Sequence, residues 1–425
     1  MKTRHSIRSV TLFLVFILHL TLHAQEFIKV PAKKVGMSAE RLEFLTKTFQ
    51  EYIDNGELSG AVVLVARKGQ ISYFKSFGKS DRENNIPMEE NSIFRIASQT
   101  KAIVSVGIMI LQEEGKLLIT DPVGKYISAF KETTVAMPKE DGAYEIVKAK
   151  RPITIRDLLT HTAGIGYGDG IASDLWKKAN IQGWYFADRE EPIQATVTRM
   201  AGLPFEAHPG EKFVYGYNTD ILGALIEVVS GVPLNTFLKS RILDPLGMND
   251  THFYLPEDKR ERLTVVYSST KNGLKRAADP GREVGQGAYV NGPRVSFSGG
   301  AGYLSTALDY AKFLQMMLNE GEFNGKRIIS SKSVELMTVS HLGEIPFPWE
   351  KGTGFGLGFS IVEDLGLRGV LGSKGEYGWG GAYHSIYWID PKEKLVVVYF
   401  TQLIPANGLD DHAKIRALVY QALID

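Results

Sequence analysis

Apolar residues are arranged in three ways along this chain, and each arrangement predicts a different kind of element. Residues 60–66 and 71–77 are short runs rich in Val, Phe and Tyr, separated by Arg67-Lys68-Gly69-Gln70. Such runs flanking a polar, glycine-containing turn predict a β-hairpin. Residues 382–389 and 395–401 repeat the pattern around Asp390-Pro391-Lys392-Glu393 and predict a second hairpin. Residues 38–55 have helical spacing, with Ser38 as N-cap and Glu40 and Glu43 early in the helix. A last helix is expected from about Asp410 to Ile424. Residues 102–111 are apolar almost all the way round, as in a helix enclosed by a core. Residues 218–229 form another apolar helix, started by Asn218 or Thr219 and stopped by Ser230-Gly231. The two ends thus supply strands and the middle supplies helices, with no linker, repeat or low-complexity tract. The predicted fold is α/β of the α+β type. An antiparallel sheet built from both termini is flanked by helices, and a large helical region is inserted between them.

The first residues predict a destination rather than a fold. Lys2, Arg4 and Arg8 precede an apolar run over residues 10–22. As a helix that run spans about 20 Å, short of a hydrocarbon core of about 30 Å. It reads as a signal peptide over residues 1–24, cut after Ala24, leaving residues 25–425 as one exported domain, periplasmic or secreted. Leu22 stands where the cleavage rule prefers a small residue, so a retained anchor is the alternative. With 49 basic and 48 acidic residues the net charge is +1. Without a basic excess to neutralise phosphates, nucleic acid is not an expected partner, and no polybasic run marks a membrane patch. Cysteine is absent, which excludes disulfides, thiolate metal sites, a cysteine nucleophile and a lipid attached through cysteine.

Ser98-Gln99-Thr100-Lys101 is a candidate nucleophile motif. Residues three apart share a helix face, so the Lys amine can reach the Ser hydroxyl. A serine hydroxyl needs a neighbouring base, and a lysine serves when desolvation favours its neutral form. The start of a helix adds free backbone N–H groups that favour a developing oxyanion. The spacing alone is weak, because Ser72/Lys75, Ser128/Lys131 and Ser268/Lys271 also satisfy it. Ser72 and Lys75 sit on a predicted strand, where residues three apart face opposite ways. Ser268 opens a polar turn, and Ser128 has no apolar helix after it. Only Ser98 opens a buried helix; an ordinary N-cap serine is the bland alternative. No serine lies in G-x-S-x-G, H-E-x-x-H is absent, and no two histidines fall at metal-ligand spacing. Among 43 glycines neither phosphate-binding loop motif appears. No cofactor or metal is expected.

Residues 94–101, His161-Thr162-Ala163-Gly164, residues 209–215, Asp244-Pro245-Leu246-Gly247-Met248 and Trp379-Gly380-Gly381 together resemble blocks of the class C β-lactamase-related serine hydrolases. That family includes class C β-lactamases, DD-peptidases, D-aminopeptidases and carboxylesterases of the β-lactamase fold. The resemblance runs in order from about Ser38 to the C-terminus. It implies Ser98 as nucleophile, Lys101 as its proton partner, and Tyr215 of Tyr215-Gly216-Tyr217 as second acid/base. Trp379-Gly380-Gly381 would stand for the third motif, and the backbone N–H groups of Ser98 and Ala382 would form the oxyanion hole. Two departures matter. Tyr217 stands where the family has an amide that binds substrate, and Trp379 where β-lactamases have a lysine for the substrate carboxylate. Trp379 is either a pocket wall or a substrate contact. Tyr217, Gly380, Gly381 and His384 are further candidates for the substrate side, with His384 expected two residues after Ala382 on one strand face. His161 is expected to stabilise a loop.

The expected reaction is acyl transfer to water, with a small carboxylic ester as the leading substrate. Amide hydrolysis, of a β-lactam or a peptide carrying D-residues, is the alternative. A non-catalytic, penicillin-recognising binding module is the reading from another class. For the leader, the expected exported chain begins at Gln25. Mass spectrometry of secreted or periplasmic protein checks this, and a chain retaining Met1 would indicate an anchor.

Overall fold

The computed structural model describes residues 27–425; the expected leader and its cleavage point at Ala24 lie outside them. Ser38 caps the first helix as expected, its Oγ accepting from the Arg41 N–H at 3.2 Å. This is α1 (Ala39–Asp54). The first hairpin follows as β1 (Gly60–Arg67) and β2 (Gln70–Asp81). Lys68 and Gly69 between them take left-handed φ values of 52° and 76°, the backbone that a tight hairpin turn demands.

One eight-stranded antiparallel sheet dominates the molecule. To β1, β2 and the short β3 (Ile86–Pro87) the C-terminal part adds five strands. They are β4 (Thr353–Phe355), β5 (Ser360–Val362), β6 (Tyr377–Gly381), β7 (Ser385–Asp390) and β8 (Leu395–Thr401). Their order is β4-β5-β6-β7-β8-β1-β2-β3. The two ends of the chain therefore meet at the β8–β1 pair, where Val62 lies opposite Phe400 and Val63 opposite Tyr399. Helices cover both faces. Val62, Leu64, Val398 and Phe400 join the larger core with the inserted helices; Val63, Val65, Val397 and Tyr399 join a smaller core with α1 and the C-terminal helix. A strand covered on both sides has no need of polar alternation, and residues 61–66 are all fully buried.

Two inserted helices carry the elements of interest. The helix α2 (Thr100–Glu113) is buried continuously from Thr100 to Leu111, matching its all-round apolar composition. It packs on α3 (Asn218–Ser230), which ends at Gly231 in the left-handed region. A Cβ at Gly107 of α2 would lie 2.9 Å from Ile226 Cδ1 and from Leu238 Cδ2, so glycine sets how closely these helices approach. The helix α4 (Ala307–Leu318) lies on β8 and β1, and α5 (Asp411–Tyr420) closes the chain. Among the described residues no single helix is long and apolar enough to cross a membrane.

Two boundaries differ from expectation. The strand expected from Ala382 begins at Ser385, because Ala382, Tyr383 and His384 form the turn that joins β6 to β7. His384 has φ 65° and its N–H donates to the Gly381 carbonyl at 3.0 Å, so Ala382 and His384 do not share a strand face. The last helix ends at Tyr420 rather than Ile424, and the residues beyond turn back, the Ile424 N–H reaching the Gly36 carbonyl at 3.1 Å.

Candidate active site

Ser98 sits in a 3-10 turn (Ala97–Gln99) that feeds directly into α2, one step before the helix it was expected to open. Ala97, just before it, has φ 43°, an uncommon conformation for a residue with a Cβ. The following turn places Lys101 on the same side. Its Nζ donates to Ser98 Oγ at 3.3 Å, to the Tyr167 hydroxyl at 3.2 Å and to the Gly300 carbonyl at 2.8 Å. Lys101 is 2% exposed and makes no ion pair among the described residues. The rival pairs have no such arrangement. Ser72 Oγ donates to the Val65 carbonyl while Lys75 turns to Thr46 and Glu43, and Ser268 Oγ donates to the Ile404 carbonyl.

The acceptor that holds Lys101 most closely is itself built by a buried acid. Asp220 of α3 is 1% exposed, and its Oδ1 accepts from Ser298 Oγ at 2.6 Å and from the Gly300 N–H at 3.0 Å. Burial pushes its carboxyl above the usual range, opposed by those hydrogen bonds and by the charge of Lys101. A Cβ on Gly300 would lie 2.3 Å from Asp220 Oδ2, so only glycine admits this approach. The Thr100 hydroxyl accepts from the Tyr303 N–H at 3.0 Å and ties the same loop to the start of α2.

Tyr215 comes from the loop before α3. Its ring centroid lies 4.6 Å from Lys101 Nζ, and its hydroxyl accepts from Trp379 Nε1 at 3.0 Å. That leaves the hydroxyl proton free to be directed elsewhere. His161 packs 4.5 Å from the Tyr215 ring. Burial, then the nearby charge of Lys101, hold this imidazole far below its usual pKa, so it is neutral. Its Nδ1 accepts from Asn218 Nδ2 at 2.9 Å. His161 therefore buttresses Tyr215 and the start of α3, in keeping with the structural role expected of it.

Ser98, Tyr167, Tyr215, Trp379, Gly380, Gly381, Ala382 and His384 line one cavity of about 570 Å³, walled also by Trp184 and Trp349. No Lys, Arg, Asp or Glu among the described residues lines it. Gly381 brings β6 against the Ser98 turn, where a Cβ would lie 2.5 Å from the Ile96 carbonyl oxygen. Tyr217 departs from expectation: it is fully buried, stacks on Trp176, and donates its hydroxyl to the Gly183 carbonyl at 2.7 Å. With its polar atom spent on backbone and no surface at the cavity, it does not reach substrate.

Three contributors escaped sequence reasoning. Tyr167 lies in a glycine-rich loop with no periodicity, and burial keeps its hydroxyl protonated far above the usual range. Asp220 reads as an ordinary first-turn helix acid. His412, at the start of α5, lies beside His384 and Asp411 at the cavity rim. No two histidines fall at metal-ligand spacing along the chain, yet the fold brings His384 and His412 together beside Asp411.

A Ser–Lys–Tyr cluster with its lysine buried, set where a two-sided sheet meets a buried helix, fits a serine hydrolase of the β-lactamase fold. The chain belongs to the Beta-lactamase family, whose family model matches residues 45–422. It is 30% identical to Esterase EstB of Burkholderia gladioli, over 84% of this chain and 89% of that protein. It is 26% identical to a putative D-alanyl-D-alanine carboxypeptidase of Escherichia coli O157:H7, over 86% of this chain and 83% of that protein. Among solved structures, EstCE1, a hydrolase with promiscuous acyltransferase activity, superposes with a TM-score of 0.77 at 27% identity, covering 90% of this chain and 99% of that one.

The close approach at Gly381 generates a test. Gly381→Ala should slow fluorophosphonate labelling by about 10²-fold, the usual effect of moving a reacting group by about 1 Å. Gly380→Ala should lose less, since its Cβ would meet Ser385 O only at 3.3 Å. Labelling rates followed by intact mass check this, with equal losses counting against the packing argument.

Proposed function

We propose that the protein hydrolyses small carboxylic esters through an acyl-enzyme on Ser98. The observation that carries this reading is the hydrogen bond from buried Lys101 to Ser98 Oγ beneath an aromatic cavity free of charged walls. In acylation, the Lys101–Tyr215 pair takes the Ser98 proton as Oγ attacks the ester carbonyl. The oxyanion is stabilised by the backbone N–H groups of Ser98 and Ala382, both at the cavity wall. Tyr215 delivers a proton to the departing alkoxide, and Lys101 restores it. In deacylation the same pair removes a proton from water, which attacks the acyl carbon and releases the acid and Ser98. Trp379 then serves as a pocket wall whose indole N–H fixes the Tyr215 hydroxyl.

The alternative amide reading draws on the carboxypeptidase relative. Against it stands the cavity, which offers no lysine or arginine for the carboxylate that a β-lactam carries. A hydrogen bond to a charged group is worth about 1.5–3 kcal/mol, so its loss costs roughly 10–100-fold in specificity. An ester anchored by apolar walls and the oxyanion hole loses less.

Two experiments test this reading. Phosphonate labelling should map to Ser98 alone, and Lys101→Ala and Tyr215→Phe should each cut single-turnover acylation by about 10²–10⁴. Near-normal acylation in both folded variants would mean that another group is the base. Separately, kcat/KM for p-nitrophenyl butyrate should exceed that for nitrocefin, with Ser98→Ala as the blank. A preference for nitrocefin would replace the ester reading with the β-lactamase one.

A further inference from the structure

The turn after β6 and the first turn of α5 meet at the cavity rim, bringing together three metal-ligating side chains. A ring nitrogen of His384, a ring nitrogen of His412 and a carboxylate oxygen of Asp411 all lie within 4.8 Å of one another. The two imidazoles are stacked, with centroids 3.9 Å apart and planes 15° from parallel, which holds the two rings side by side next to Asp411. His384 Nε2 lies 2.7 Å from Asp411 Oδ1.

Supports for these groups are already in place. Asp411 is fully buried, and its second oxygen accepts from the Tyr399 hydroxyl, the kind of outer contact that orients a ligating carboxylate. The His412 backbone N–H donates to Asp411 Oδ1 at 2.9 Å, and its Nε2 lies 3.1 Å from the His384 carbonyl. His384 occupies a left-handed position, φ 65°, a conformation in which His, like Asn and Asp, is enriched among residues with a Cβ.

We infer that His384, Asp411 and His412 form a binding site for a zinc-class divalent ion at the mouth of the Ser98 cavity. Two imidazoles and one carboxylate suit Zn²⁺ and leave a fourth position open, whereas Ca²⁺ and Mg²⁺ require more oxygen ligands. Ligands about 2.0–2.1 Å from one ion in tetrahedral array lie roughly 3.3 Å apart. The 2.7 Å His384–Asp411 contact must open slightly, and the stacked rings must tilt so that their in-plane lone pairs converge, an adjustment of side chains on two neighbouring turns. An ion there replaces the His384–Asp411 hydrogen bond. Because His384 and His412 line the cavity that contains Ser98, the ion obstructs its entrance and inhibits turnover. Only this inhibition rests on the ester-hydrolase reading; binding does not.

The test is calorimetric titration of tag-free full-length exported protein with ZnCl₂, with MgCl₂ as control and p-nitrophenyl butyrate turnover followed in parallel. One Zn²⁺ per chain is expected, with at least about tenfold weaker binding in His412→Gln and in His384→Gln, and no Mg²⁺ heat. Turnover should fall as the site fills, and the inhibition curve should move to higher zinc in His412→Gln. Absence of binding at zinc concentrations up to about 1 mM, the weak end of the affinity scale, would overturn the site. So would unchanged affinity in both variants while circular dichroism shows them folded. Zinc binding without any change in turnover would overturn the obstruction. A chain that binds zinc through these residues but leaves every ester intact would retain the site and refute the ester reading.

Discussion

A lysine amine withdrawn from water must find acceptors, because each buried donor left unpaired costs about 1–3 kcal/mol. Lys101 finds three, and each comes from a different part of the chain: Ser98 from the turn before α2, Tyr167 from a mid-chain loop, Gly300 from a loop far beyond. The requirement propagates outward. Gly300 is held by Asp220, whose own burial is compensated by Ser298. Tyr215 stands over the amine and is fixed in turn by Trp379 and His161. The loops around the site are thus shaped largely by satisfying one nitrogen, and the proposed proton transfers use contacts that packing already demands.

Much of this was legible in the sequence because the relevant signals are local. A run such as residues 60–66 can be only a strand covered on both faces or a buried helix, and its neighbouring hairpin turn decides which. Residues 102–111 announce a buried helix by having no polar face. Ser98 and Lys101 are separable from three other pairs of equal spacing because only one pair adjoins such a helix. What escaped is non-local. Asp220 reads as a helix acid until α3 is laid against the 298–301 loop. Tyr217 occupies a motif position yet turns inward, because the Gly183 carbonyl and Trp176 offer its large ring a better place than the cavity. The β6–β7 turn was missed because Ala382-Tyr383-His384 lacks the glycine or asparagine that normally marks a left-handed residue.

The relatives show that one scaffold supports esterase, peptidase and acyltransferase names, so fold alone says little about substrate. What varies is the wall of the cavity. Here that wall is aromatic, with Trp184, Trp349 and Trp379 around the serine, and the buried Lys101 lies beneath it.

The meeting of β1 and β8 has a consequence for how the molecule is made. Thr401 Oγ1 bonds to the Gly60 carbonyl across 341 residues of chain. At about 5–20 residues per second, β1 leaves the ribosome roughly 20–70 s before its partner exists. During that interval β2 can satisfy one edge of β1, while the other presents unpaired N–H and C=O groups along a strand apolar from Gly60 to Ala66, a template for any other nascent copy. The sheet cannot nucleate from its centre, because the centre is the last part to be completed. Slow, non-local closure of this kind favours low concentration and prolonged protection of the unfinished chain.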